Sequence, residues 1–167
     1  FPGDWPASGQ LQWDGMVKRK RSGAMDWNGL WSLAEGSGSL RATPWTASGN
    51  GSLDGADLVV DAFDGTWGGI AVTGNVQGQL PLQDAPRSQW TGSLALPELA
   101  FHSTDTSSVS LASLQLPAGM QVQCDVAIGT IQYDGWQLAA AALALEGDGN
   151  GWVVPRFRAE TLNGLLS

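Results

Sequence analysis

Along this chain apolar residues recur two apart and polar ones fill the gaps, so the pattern predicts strands almost throughout and very little helix. One unit carries the rhythm: a glycine, any residue, an apolar residue, then usually a polar one. It stands at Gly9-Gln-Leu11-Gln, Gly23-Ala-Met25-Asp, Gly38-Ser-Leu40-Arg and Gly51-Ser-Leu53-Asp, and again from Gly74, Gly78, Gly92 and Gly129. The first copies start about 14 residues apart, the length of a short strand with its turns. Candidate strands cover 9–14, 23–33, 38–53 with a kink at Pro44, 57–63, 67–73, 75–82, 90–96, 98–103, 107–116, 121–133 with a break at Gly129, 136–146 and 151–160. Only Leu111 to Leu116 has the makings of a helical turn.

Turns are expected at Asp14-Gly15, Asn28-Gly29, Asn50-Gly51, Asp54-Gly55, Asp64-Gly65, Asp134-Gly135 and Asn163-Gly164, dipeptides that suit tight hairpins. With so many short turns and no helical stretch to carry a parallel crossover, the strands should follow one another antiparallel. The fold class is therefore all-β: a consecutive antiparallel meander forming either a curved, taco-like sheet or a β-sandwich. A length of 167 residues fits one domain, 1–167. The abrupt start at Phe1-Pro2-Gly3 reads as a segment excised from a longer protein, whose targeting and anchoring parts lie elsewhere.

Three strands carry the most specific expectations. Val122, Cys124, Val126 and Ile128 alternate with Gln121, Gln123 and Asp125, which puts them on one inward face with Cys124 a buried, inert thiol. In 151–160, Val153, Pro155, Phe157 and Ala159 should face inward and Arg156 and Arg158 outward. Leu138 to Leu145 is apolar on both parities and should be covered on each side. From these strands come the candidate lipid- or partner-contacting residues Val122, Val126, Ile128, Ala142, Leu143 and Leu145.

Composition narrows the function classes. A net charge of −8 speaks against nucleic acid, whose phosphates are bound by lysine and arginine. The one basic run, Lys18-Arg-Lys-Arg21, reads as a solvated hairpin tip or a contact for anionic headgroups or an acidic partner. One cysteine allows no internal disulfide, and one histidine, His102, cannot complete a zinc set. Glu146-Gly-Asp148-Gly-Asn150 begins like a calcium loop but meets Phe157 where the closing acid should stand. There is no nucleophile elbow, phosphate loop or Cys-x-x-Cys pair, so no catalytic, metal or cofactor residue is assigned and no enzyme is expected. Nine tryptophans, several beside the expected turns, would either fill the ends of a curved sheet or stack on sugar rings.

The run Leu58-Val-Val-Asp-Ala-Phe-Asp-Gly65-Thr-Trp67-Gly-Gly-Ile-Ala-Val-Thr-Gly74-Asn-Val-Gln-Gly78-Gln-Leu80-Pro-Leu82 resembles the periplasmic sheet repeats of the AsmA-like superfamily, the TamB and YdbH relatives. Trp90-Thr-Gly-Ser-Leu94-Ala-Leu96 and the ending Val154 to Gly164 share that style, and Gly65-Thr-Trp67-Gly-Gly69 is similar to a phrase of the type II secretion protein N family. The resemblance implies a taco-shaped sheet in the envelope of a Gram-negative bacterium, periplasmic, anchored through a segment not present here, with an apolar face that cradles lipid acyl chains or packs against another segment. Three functions stand open: binding or conducting lipid acyl chains, a structural component of the type II secretion system recognised by envelope or secretion proteins, and a carbohydrate-binding sandwich.

Overall fold

The computed structural model describes residues 8–21, 23, 25–40, 43–80, 88–101, 116, 119–134 and 136–161. They form nine strands and, among the described residues, no helix: β1 (Ser8–Arg19), β2 (Met25–Leu40), β3 (Thr43–Asp54), β4 (Asp57–Trp67), β5 (Ile70–Gln79), β6 (Ser88–Phe101), β7 (Met120–Tyr133), β8 (Trp136–Asp148) and β9 (Gly151–Thr161). All nine lie in one sheet in chain order, β1 to β9. The sheet is open and curved rather than closed or folded into a sandwich. The expected all-β meander is thus the fold, and of its two forms the single curved sheet.

The strands are longer and fewer than the glycines suggest. Asp14-Gly15, Asn28-Gly29, Asn50-Gly51 and Asp64-Gly65 are not turns; each lies inside a strand. Asp54-Gly55 does close a hairpin, with Gly55 at φ +61°, and Asp134, at φ +43°, follows β7. The β4–β5 hairpin instead turns at Gly68-Gly69, at φ +58° and +86°. The expected strands 90–96 and 98–103 are one strand, β6. The strand over 107–116 and the helical turn from Leu111 fall outside the described residues except for Leu116, as do His102 and Asn163-Gly164.

One pairing departs from the expected topology. β6 and β7 run parallel, from Ser88 beside Met120 to Phe101 beside Tyr133. Every other neighbour is antiparallel. A parallel pair requires the chain to return along the strand between Phe101 and Met120, and the sequence signals for hairpins carry no information about such a return.

The two faces differ in chemistry. Cross-strand hydrogen bonds link polar side chains on one face: Asn28 Nδ2 donates to Asp54 Oδ1 at 2.9 Å, Asn75 Nδ2 to Ser93 Oγ at 2.8 Å, Gln79 Nε2 to Asp57 Oδ1 at 3.0 Å and Gln132 Nε2 to Glu98 Oε1 at 2.7 Å. Thr46 and Thr66 share a hydroxyl contact at 2.9 Å on the same face. Directly opposed polar pairs of this kind each contribute a few tenths of a kcal/mol up to about 1 kcal/mol. The other face is apolar and holds the buried cluster of Val126, Ile128 and Ala141, which are 7, 5 and 2% exposed. Leu94, Leu96, Leu99, Cys124, Ile131, Leu143 and Leu145 pack against it.

An extra residue aligned across β6, β7 and β8, so that their mutual register holds and only β9 slips, keeps that division intact. Leu96 and Leu99, and likewise Ile128 and Ile131, stand three residues apart yet join the same cluster. The switch falls at Pro97-Glu98 and Gly129-Thr130, neighbours across the parallel pair. In β8 it falls at Ala140, held at φ +50°, where β8 slips by one residue against β9. A residue inserted in this way bends the strand and re-aims the side chains beyond it.

Candidate functional site

Register assembles the apolar face from single residues on every strand. One row reads Leu11, Leu33, Gly49, Phe63, Gly74, Leu94, Val126, Leu143 and Phe157 from β1 to β9. A second reads Gly15, Gly29, Leu53, Leu58, Gly78, Trp90, Val122, Gly147 and Trp152. No charged or amide side chain interrupts either row. Nine strands at about 4.8 Å spacing make each row roughly 40 Å long.

Bulk and gap alternate within these rows. The Trp13 ring covers Gly15 and Gly29, where an added Cβ would stand 3.0 and 2.8 Å from it. Trp31 covers Gly51 in the same way, Trp90 covers Gly78, and Trp152 covers Gly147. A glycine in a strand leaves a hole and costs backbone entropy; a neighbouring ring laid over it refills the hole. This explains Gly15, Gly29, Gly51, Gly78 and Gly147 together with four of the nine tryptophans, whose rings belong to the sheet's own packing. Trp27 meets Trp13 edge to face, with centroids 5.9 Å apart and planes at 86°. The indole nitrogens of Trp13 and Trp31 are buried with no hydrogen-bond partner among the described residues.

Five of the six candidate contact residues come together on this face. Val122 pairs with Gly147, Val126 with Leu143, Ile128 with Ala141, and Leu145 with Cys124. Ala142 does not join them. It pairs with Ala127 on one side and Arg158 on the other, so it belongs to the polar face, where it is exposed. There it floors a shallow depression of about 460 Å³ between Asp125 and the two arginines of β9. The expectation that Leu138 to Leu145 is covered on both sides fails with it: Leu138, Ala141, Leu143 and Leu145 take one face, while Ala139, Ala142 and Ala144 take the other.

The last strand also departs from its expected parity. Phe157 pairs with Leu143 on the apolar face, but Val153 pairs with Glu146 on the polar one, because β9 slips by a residue at Val154-Pro155. Neither is buried; Phe157 is 56% and Val153 62% exposed, as befits an edge strand with a neighbour on one side only. Gln123, Arg156 and Arg158 are exposed as expected. Cys124 is half-buried on the apolar face, and its burial first, then the Asp125 carboxylate, push the thiol upward from its ordinary pKa.

Sequence reasoning missed Leu94, Leu96, Leu99 and Ile131 as members of the same cluster. The signal was there in part, since Leu94 and Leu96 alternate with polar or small residues, but nothing local reveals that β6 lies parallel to β7. Comparison with protein-family models, with curated proteins and with solved structures finds no match.

Proposed function

We propose that the apolar face holds lipid acyl chains and that the protein is a non-catalytic part of a bacterial envelope, most in keeping with a periplasmic setting. The observation that supports this reading is the set of uninterrupted apolar rows across all nine strands. The sheet's backbone donors and acceptors are committed to the ladders, so such a face offers contact area and little polar recognition. An occupant that needs none, long and flexible enough to follow a curved surface, suits it best. The resemblance of 58–82 to AsmA-like sheet repeats points the same way.

Adjacent residues on opposite faces provide the test. Native mass spectrometry of protein purified from a bacterial host should show retained phospholipid or fatty acid. Leu143→Glu should abolish retention, because a carboxylate on that face is desolvated by the acyl chain at a cost of several kcal/mol. Ala142→Glu, one residue along but on the polar face, should retain lipid as wild type does. A clean apo mass for the wild type, or equal retention by a folded Leu143→Glu variant, would overturn the reading and favour the secretion-assembly component.

A further inference from the structure

We infer that the β1–β2 hairpin tip is a docking element for an anionic lipid surface. This is separate from the acyl-chain reading, since it rests on other residues at the end of the sheet. The tip carries Lys18, Arg19, Lys20 and Arg21, closed by a hydrogen bond from Gly23 N to Lys20 O at 2.9 Å. From Lys18 to Asp26 there are four cations and one carboxylate, in a chain whose net charge is −8. Asp26 is already engaged, 3.0 Å from Lys20 Nζ, and among the described residues Lys18, Arg19 and Arg21 have no ion pair.

Apolar side chains surround these cations on both faces of the hairpin. Met16 is 58% exposed on the polar face, and Val17, Met25 and Trp27 are 42, 52 and 42% exposed on the apolar one. Met16 stands beside Lys18 on the polar face, two residues along the same strand. Cations interleaved with exposed methionine, valine and tryptophan match the boundary between headgroups and acyl chains. The cations meet phosphate there while the apolar groups enter the layer beneath.

The geometry lets the tip reach such a surface first. The β3–β4 hairpin reaches β2 no further than Trp27, whose carbonyl accepts from Gly55 N at 2.7 Å, so Met25, Asp26 and the turn project past it. That projection is roughly 7 Å at strand rise, close to the Debye length of about 8 Å at physiological salt. It separates the cations from Asp54 and Asp57, whose charges would otherwise oppose an anionic leaflet.

Co-sedimentation with vesicles tests the inference. The wild type should sediment with phosphatidylcholine vesicles containing about one-third phosphatidylglycerol and not with phosphatidylcholine alone, and roughly 0.5 M salt should release it. Replacing all four cations (K18Q, R19Q, K20Q, R21Q) should weaken partitioning about a hundredfold, at about fivefold for each unpaired cation. Met16→Ser with Met25→Ser should cost about tenfold. Leu143→Glu should sediment as wild type does, and the quadruple variant should still retain acyl chains, so the two proposals fail separately. Failure of the wild type to sediment with anionic vesicles would overturn the inference, whatever acidic protein it binds. So would equal sedimentation with neutral vesicles, or a quadruple variant that matches wild type.

Discussion

The two ends of the sheet solve the same packing problem with different materials. In β1 to β5 the buried residues are Gly36 and Gly51; Leu33 of the same strand lies over the first and the Trp31 ring of the neighbouring strand over the second. In β6 to β8 the buried hydrophobics are Val126, Ile128 and Ala141, interlocked with leucines and isoleucines from all three strands. One region is stapled by ring-over-glycine pairs; the other has a small aliphatic core. The difference teaches where each will break: the first at backbone contact, the second at lost volume.

The largest effect should come from the aliphatic region. Ile128→Ala should lower stability in urea unfolding by about 3 kcal/mol, through lost transfer energy and a cavity, whereas Phe157→Ala at the exposed edge should cost about 1 kcal/mol or less. Next is Gly51→Ala. Its Cβ would fall on the Val59 carbonyl and 2.9 Å from the Trp31 ring, so a loss of about 1–3 kcal/mol is expected by the same measurement. If Gly51→Ala were neutral, the stapled region would be looser than described.

A double-mutant cycle sharpens the comparison further. The three atoms nearest an alanine Cβ at Gly147 would all belong to the Trp152 ring, at 2.7 to 2.9 Å. Gly147→Ala and Trp152→Ala should therefore be non-additive by about 1 kcal/mol, the second change relieving the first. Cys124, packed against the aliphatic core, should react with a thiol reagent more slowly in the folded than in the urea-unfolded protein at pH 8, because its raised pKa keeps less thiolate.

The smallest effect concerns the β8–β9 turn. Asn150 donates to Asp148 from its backbone N at 2.7 Å and from Nδ2 at 3.2 Å, and the backbone bond first, then the side chain, lower the carboxyl pKa. A carboxyl depressed in the folded state stabilises above its ordinary pKa of about 4, and the contribution fades as pH falls through the depressed value. Asp148→Asn should therefore lower the melting temperature slightly near neutrality and converge with wild type in acid, flattening the acid side of the profile.

Much of this architecture is legible in the sequence because strand parity is a local property. Val122, Val126 and Ile128 declare their face within seven residues, and the structure keeps them together. Asn28-Gly29 and Asp64-Gly65 mislead because the reason for each glycine lies on another strand: Trp13 over Gly29, and the Thr46 carbonyl against Gly65. Ala142 was misplaced for a related reason. A run of alanines gives no contrast between faces, so only the backbone shows that Ala140 shifts the phase. The parallel pairing of β6 with β7 is the least legible feature, since it depends on how the chain returns between them.

The aligned bulges of β6, β7 and β8 impose a constraint on how this sheet can change over time. Removing one residue at Pro97, Gly129 or Ala140 would invert every side chain beyond it in that strand while its neighbours stayed in step. Such a deletion would bring leucines up among the glutamines and carboxylates of the opposite surface. These three positions can therefore be edited together or hardly at all, and a lineage carrying this domain should gain and lose residues freely at its hairpins while keeping the count between these bulges fixed.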